Sequence, residues 1–349
     1  MTASDKAATN RRGAGPGIRR WLAGVDQQII GLVIALAVLL VIFGIRIPGQ
    51  FFNPMNLMSI GEGVTLIGIA ALSSTLVLIL GGLDVSVGSL VGFCSAAAGV
   101  AMMRIDSPLA GLAAALLVGV LGGFINGLGV TKGKLEPIIV TLATYSAFRG
   151  FALLTTGGYA VNVKNGAFNA LGTGSILGVP ILVLILLVAI AVFIFLMGFT
   201  APGRNIYAIG GNPNAARLAG VHLDRYKLGV YTLAGLMAGV AAIVLTSRTK
   251  SGQPISGSEG LELQAITAAI LGGVSTKGGK GAVIGAMLGV LIIGTLNNGM
   301  ILLSIPTFYQ RVARGLLLIL AVLIQNWQMR PRRQAIPAAA EPDLAATRT

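Results

Sequence analysis

A carboxylate stands inside an apolar stretch of this chain, at Asp84. It follows the glycine pair Gly81 and Gly82 and precedes Ser86, in the stretch ILGGLDVSVGSLVG (79–92). A carboxylate among apolar residues can carry a proton, pair with a basic group or cap the next helix. An Asp just before a helix accepts hydrogen bonds from its first free N–H groups and faces the positive end of its dipole. We therefore expect Asp84 to order a break between two helices.

A second stretch follows the same plan in the C-terminal half. The segment ILGGVSTKGGKGAVIG (270–285) places Gly272 and Gly273 after Ile-Leu, then a polar interval, then G-x-x-x-G opening a new apolar run. Paired Gly-interrupted segments in two halves of a chain indicate a transporter core built from repeats. We expect both breaks to border the solute path on the cytoplasmic side. Whether the repeats run parallel or inverted stays open.

Several other polar residues fall in or beside apolar runs. Asn297 and Asn298 carry amides that suit sugar hydroxyls, and a hydrogen bond between helices explains them nearly as well. Arg149 either lines a polar path or extends to the outer interface, and we expect the second. Glu62 and Glu262 are expected near the outer interface.

Motifs for enzymatic chemistry are missing from the sequence. There is no G-x-x-x-x-G-K-[ST] loop to hold ATP phosphates and no G-x-S-x-G elbow. His222 is the single histidine, which excludes a metal site made of several histidines. We predict that the chain is not an enzyme and holds neither a metal nor a cofactor of its own.

Apolar helices must position these residues, because the composition is that of an integral membrane protein. Of 349 residues, 55% are hydrophobic and 10% are charged, and mean hydropathy is +0.86, whereas soluble domains carry about 25% charged residues. We predict an all-α polytopic membrane protein of about ten transmembrane helices, with Gly-interrupted helices in two related halves. The predicted spans are 28–45, 57–80, 86–103, 108–130, 137–156, 178–199, 228–247, 261–274, 282–303 and 308–325. The eighth is short, so it is either tilted or a half-helix.

Basic residues set the orientation. With ten spans, most of the 25 Lys and Arg residues fall on the side of the two termini, which the positive-inside rule assigns to the cytoplasm. The same rule accounts for the net charge of +14 without nucleic acid. We divide the chain into a disordered cytoplasmic N-terminus (1–27), a transmembrane domain (28–325) and a disordered cytoplasmic tail (326–349).

Four motifs carry a family resemblance. They are GGLDVSVGS (81–89), VTLATYSAFRG (140–150), GRNIYAIGGNPNAARLAGV (203–221) and ELQAITAAILGGVSTKGGKGAVIGAMLGVLIIGTLNNGMILL (262–303). Together they resemble the ribose-type permease subunits of bacterial ABC importers, over roughly residues 50–325. The resemblance implies an inner-membrane subunit paired with a second copy or a homologue, a cytoplasmic ATPase subunit that binds the ATP, and a periplasmic or lipid-anchored sugar-binding protein.

The same resemblance gives a role to the basic loop between the sixth and seventh spans. In such importers a cytoplasmic loop presents a short helix to the ATPase, often with the pattern E-A-A-x-x-x-G. Here NAARLAG (214–220) has Asn in place of the Glu. The candidate coupling residues are Asn214, Ala215, Ala216, Arg217, Leu218 and Gly220. We expect a helix over 212–220 whose two alanines face the ATPase and which Gly220 ends.

Two functions fit these observations. The first is the permease subunit of an ABC importer for a monosaccharide or a related small polyhydroxylated solute. The second is a secondary transporter of a small polar solute driven by an ion gradient, which the helix breaks and Asp84 also fit. The sequence does not identify the sugar, or decide between a homodimer and a heterodimer.

Overall fold

The computed structural model describes the backbone of residues 16–328 and the side chains of residues 29–323. Disorder was expected over residues 1–27 and 326–349; of these, residues 1–15 and 329–349 lie outside the described residues, whereas 16–27 belong to α1 and 326–328 to α13. Within the described range the fold is built from helices, with four two-residue strands. The helices are α1 (Pro16–Arg46), α2 (Pro54–Ile79), α3 (Val87–Ile105), α4 (Pro108–Thr131), α5 (Pro137–Thr156), α6 (Gly166–Thr173), α7 (Ile181–Phe199), α8 (Ala201–Gly211), α9 (Pro213–Leu218), α10 (Leu223–Thr249), α11 (Leu261–Leu271), α12 (Val283–Leu302) and α13 (Thr307–Gln328).

The strands form two small antiparallel pairs between helices. They are β1 (Val161–Asn162), β2 (Ser175–Ile176), β3 (Val179–Pro180) and β4 (Ser251–Gly252). β1 pairs with β4, and β2 pairs with β3. The first pair holds the chain between α10 and α11 against the chain between α5 and α6.

Eight of the described helices are long and apolar enough to cross a membrane: α1, α2, α3, α4, α5, α7, α10 and α12. The all-α polytopic fold is therefore confirmed. The remaining two predicted spans correspond to α11, which has only 11 residues, and to α13, which carries Arg311 and Arg314. Proline begins several of these helices, where its missing N–H removes no helical hydrogen bond.

Helix α2 lies at the centre of the bundle. From Val64 to Ile79 every residue is buried except the partly buried Leu66. Around it α7, α10, α11 and α12 pack closely, and α4 packs antiparallel on α10 through facing glycines. A Cβ added at Gly235 of α10 would lie 2.6 Å from the backbone nitrogen of Gly123 on α4, so only glycine allows this approach.

The eighth predicted span (261–274) is helical over Leu261–Leu271, which is too short to cross a membrane alone. After α10 the chain passes β4 and runs from 252 to 260 along α3 without forming a helix. Glycines on α3 make room for it: Gly99 faces Gly252, Gly92 faces Pro254 and Gly88 faces Ser258. Gly99 and Gly88 are about 16 Å apart along α3 at 1.5 Å per residue, so α11 begins deep in the bundle. Non-helical backbone at such depth requires protein around it.

Candidate functional site

Each glycine break begins with the same helix ending. Gly81 has φ +89°, its N–H donates to Leu78 O (2.9 Å), and the N–H of Gly82 donates to Val77 O (2.9 Å). This pair of bonds is a Schellman ending, which favours glycine at the left-handed position.

The second break repeats this ending one residue later in the motif. Gly273 has φ +90° and donates to Ile270 O (2.9 Å), while Val274 donates to Ala269 O (3.0 Å). The structural counterpart of Gly81 is therefore Gly273. Gly272, which occupies the matching place in I-L-G-G, instead packs closely against the backbone of Gly285 on α12.

Asp84 is buried and orders the first break locally. Its Oδ1 accepts hydrogen bonds from the backbone N–H of Ser86 (2.8 Å) and from the Ser86 hydroxyl (2.7 Å). These bonds close a turn immediately before Val87, the first residue of α3. The carboxylate thus holds the approach to the helix and leaves the free N–H groups of the first helical turn to other partners.

Side chains from α4 and α5 extend this hydrogen-bonded group. Asn126 Nδ2 donates to Ser86 Oγ (2.8 Å), and Thr144 Oγ1 donates to Asn126 Oδ1 (2.7 Å). Thr141 Oγ1 lies 3.3 Å from Leu83 O. Sequence reasoning missed Asn126 and Thr144, although a lone Asn within the apolar run of α4 was an available signal.

The two breaks meet at one end of the bundle. The N–H of Gly279 donates to Ile79 O (2.8 Å), and a Cβ at Gly278 would lie 2.9 Å from Gly81 Cα. The units α2–α3 and α11–α12 therefore cross the bundle in the same sense, as expected for breaks on one side. We call this end of the molecule the break end.

Helix α8 contacts both breaks. Gly210, near its C-terminus, packs directly against Ile79 O and the N–H of Gly279. Tyr207 donates its hydroxyl to Gly281 O (2.8 Å), and burial raises the pKa of this hydroxyl, so it stays protonated. A cavity of about 280 Å³ lies beside these contacts, with Gly81, Gly82, Tyr231 and two lysines, Lys227 and Lys277, in its wall.

The short helix expected in the basic loop is α9, which follows α8 at the break end. Asn212 caps it by accepting the N–H of Ala215 (3.0 Å), and Pro213 is its first residue. The cap is therefore Asn212, whereas Asn214 lies within the helix. Gly220 adopts φ +84° after the helix, as expected for a terminating glycine.

The two alanines of α9 differ in exposure. Ala216 is only 5% exposed and packs on the core of this chain, so the expectation that it faces another protein is wrong. Ala215 and Arg217 are exposed, and Leu218 is 90% exposed. The outward surface of α9 thus combines a guanidinium with an apolar side chain.

The paired asparagines lie away from the breaks, on α12. Asn298 exchanges hydrogen bonds with Asn56 of α2 (2.8 and 3.2 Å). Asn297 donates to Gln264 Oε1 of α11 (3.1 Å), and its own Oδ1 lacks a hydrogen-bond partner. Both amides therefore connect helices, and the structure does not bring them together with the break residues.

Two charged residues expected at the outer interface lie inside the bundle. Arg149 Nη1 donates to Pro254 O (2.9 Å) and Ser258 Oγ (3.1 Å) of the non-helical segment. Glu262 is 7% exposed and lies against Gly88 near the start of α3. Both interfacial expectations are wrong, because the chain before α11 descends into the bundle instead of staying at its surface. Glu62 is partly exposed and lies 3.9 Å from Arg248.

Comparison with known proteins gives a consistent result. A family model described as "branched-chain amino acid transport system / permease component" matches residues 57–322. The chain is 40% identical to the ribose import permease protein RbsC of Bacillus subtilis (strain 168), covering 87% of this chain and 94% of that protein. It is 39% identical to the L-arabinose ABC transporter permease protein AraH of Azospirillum brasilense, covering 89% and 91%. The ribose import permease protein RbsC of Escherichia coli (strain K12) is 38% identical, covering 88% and 95%. No solved structure gives a significant match.

Proposed function

The chain belongs to this family of transport permease components, and we propose that it forms the membrane path of an ABC importer for a monosaccharide or a related small polyhydroxylated solute. The observation that carries this function is the similarity to ribose and arabinose import permeases over almost the full length of both chains. The two helix breaks, which meet at one end of the bundle, support it. The similarity does not support an ion-driven transporter.

The partners follow from this function. An ATPase subunit binds and hydrolyses ATP, consistent with the missing phosphate-binding loop in this sequence. A periplasmic or lipid-anchored sugar-binding protein delivers the solute, and a second copy of this chain or a homologue completes the path. In this arrangement the break end and both termini are cytoplasmic, in the inner membrane of a bacterium.

The exposed surface of α9 is the proposed contact with the ATPase. Arg217 and Leu218 offer a charge and an apolar side chain to a groove on a soluble partner, while the buried Ala216 fixes α9 to this chain. Asn214 and Ala215 complete the exposed surface.

A movement of α9 can be transmitted to both breaks through a short series of contacts. Asn212 joins α9 directly to α8, and Gly210 of α8 packs between Ile79 and Gly279. Because Ile79 ends α2 and Gly279 precedes α12, one displacement of α8 shifts both breaks together. Backbone-to-backbone contacts transmit such a shift with little slack.

Reconstitution tests the proposed function. The purified chain is placed in lipid vesicles alone or with its ATPase and sugar-binding protein, and uptake of labelled D-ribose, L-arabinose, D-xylose and D-galactose is measured. We expect uptake only with both partners and ATP. Uptake by the chain alone, driven by a proton or sodium gradient, would instead identify a secondary transporter.

A further inference from the structure

A cavity of about 310 Å³ lies between α5, the start of α11, α12 and α13. This volume is at the lower end of the ~300–1,000 Å³ range of small-ligand sites. It is separate from the glycine breaks, since its wall comes from Tyr145 of α5, residues between 259 and 267, Ile293 of α12 and residues between 311 and 318 of α13, all of which lie outside both breaks. Its depth follows from the non-helical segment, which brings the first turns of α11 into the bundle.

The first two turns of α11 place three polar side chains in the wall of this cavity: Glu262, Gln264 and Thr267. Glu262 is the most unusual of the three. Only 7% of its surface is exposed, and its Oε2 has no hydrogen-bond partner. Buried polar atoms are normally paired, and this carboxylate lies beside the cavity with its Oε2 against Gly88 of α3 and without a hydrogen-bond partner.

The other two side chains are held in position by their own contacts. Gln264 accepts at Oε1 from Asn297 (3.1 Å), which leaves its Nε2 with only a long contact to Gly260 O (3.5 Å). Thr267 donates its hydroxyl to Leu263 O (2.6 Å), so its oxygen is left as an acceptor. The cavity therefore offers a carboxylate acceptor, an amide donor and a hydroxyl acceptor.

This set suits neutral hydroxyl groups, each of which donates and accepts a hydrogen bond. Among the described residues of the wall, two carboxylates (Glu259 and Glu262) balance two guanidiniums (Arg311 and Arg314). Glu259 and Arg311 already pair at 3.4 Å at the exposed rim. No excess charge selects an anion or a cation, and the Tyr145 ring adds an aromatic surface for C–H groups.

We propose that this cavity is a solute-contact site within the permease, where Glu262, Gln264 and Thr267 bind hydroxyl groups of the passing sugar and contribute to the choice between sugars. Asn297 is a positioning residue that orients Gln264. The inference rests on the proposed import function and adds a specificity site to it.

The test uses the complete importer, with ATPase and sugar-binding protein, in vesicles. Three variants change one polar group each: Glu262→Gln replaces a carboxylate oxygen with an N–H donor, and Gln264→Leu and Thr267→Val remove the amide and the hydroxyl. We expect ATP-driven uptake to fall about tenfold or more in both Glu262→Gln, which places a donor where the solute hydroxyl needs an acceptor, and Gln264→Leu, which removes the amide. We also expect the ratio of D-ribose to L-arabinose uptake to change, which a purely structural role would not cause.

Matched controls separate this effect from damage to the fold. Glu62→Gln removes a partly exposed carboxylate elsewhere in the bundle and should leave both rate and ratio unchanged. Co-purification of the ATPase and basal ATP hydrolysis report on assembly. If Glu262→Gln fails to assemble, Gln264→Leu and the nearly isosteric Thr267→Val decide the question.

The outcomes distinguish the two proposals. Variants that assemble and keep the wild-type rate and sugar ratio overturn the cavity as a solute-contact site, while wild-type uptake with ATP leaves the import function standing. If the wild-type importer takes up none of the four sugars with ATP, the import function fails and the specificity site fails with it.

Discussion

At the scale of single residues, Asp84 shows what a buried carboxylate does at a helix break. Its Oδ1 accepts both the N–H and the hydroxyl of Ser86, and Ser86 in turn accepts from Asn126 of α4. One acceptor atom thus holds the turn and connects it to the rest of the bundle. We therefore expect the geometry to require an oxygen at this position but not its charge.

Substitution of Asp84 tests this distinction. Asp84→Asn keeps an acceptor oxygen, so we expect it to retain most uptake. Asp84→Leu leaves the buried N–H of Ser86 without an acceptor, at a cost of about 1–3 kcal/mol in folding free energy, and should lower both protein yield and uptake. The measurements are yield, ATPase co-purification and ATP-driven uptake. Loss of uptake in a well-assembled Asp84→Asn importer would mean that the charge itself is required.

Glycine pairs show a limit of reading motifs by residue type alone. The I-L-G-G match aligns Gly81 with Gly272, but the left-handed residue of the second break is Gly273. The sequence contains glycine at every candidate position, so nothing in it distinguishes a glycine needed for φ from one needed for close packing. The hydrogen bonds of each helix ending make that distinction.

At the scale of elements, α4 and α10 depend on contact between their backbones. Gly235→Leu should prevent this contact, because even a Cβ would lie 2.6 Å from the Gly123 nitrogen. We expect destabilisation of about 1–3 kcal/mol or more, seen as a lower melting temperature in detergent. The matched control is Gly229→Leu on the same helix, where a Cβ meets nothing within 4 Å. Equal stability of the two variants would contradict the packing described.

Helix α9 is the element proposed to bind the ATPase. Arg217→Glu reverses an exposed charge there, and we expect it to weaken co-purification of the ATPase more at low salt than at high salt, because salt screens the repulsion. Lys164→Glu is the control, since Lys164 is also exposed but follows α5 at the opposite end of the bundle. If both variants keep full ATPase binding and uptake, the contact lies elsewhere.

The helices also show which features of the fold hydropathy alone can predict. Runs of apolar residues located the eight long spans, because length and composition are sufficient to identify them. Arg149 and Glu262 were placed wrongly because hydropathy does not show that the chain before α11 enters the bundle and contacts α5. Once residues 252–260 descend as non-helical chain, Glu262 lies deep in the bundle, and it faces the cavity with Gln264. Only tertiary contacts with α3 reveal this.

At the scale of the whole molecule, the orientation in the membrane can be tested with two exposed leucines. Leu218 on α9 is 90% exposed, and Leu177 between β2 and β3 is 100% exposed. They lie at opposite ends of α7, with α9 at the break end. In a Cys94→Ser background, Leu177→Cys should react with a membrane-impermeant thiol reagent in intact cells, and Leu218→Cys should react only after lysis. The reverse pattern would invert the proposed orientation.

The non-helical chain before α11 has a consequence for biogenesis. Residues 252–260 cannot stay in lipid, because their backbone groups have no helical partners and are accommodated only among other protein segments. The surrounding glycines of α3 and the side chain of Arg149 must therefore be in place before this stretch reaches its final depth. We infer that most spans enter the membrane as independent helices during synthesis, whereas this one enters late, as a product of folding.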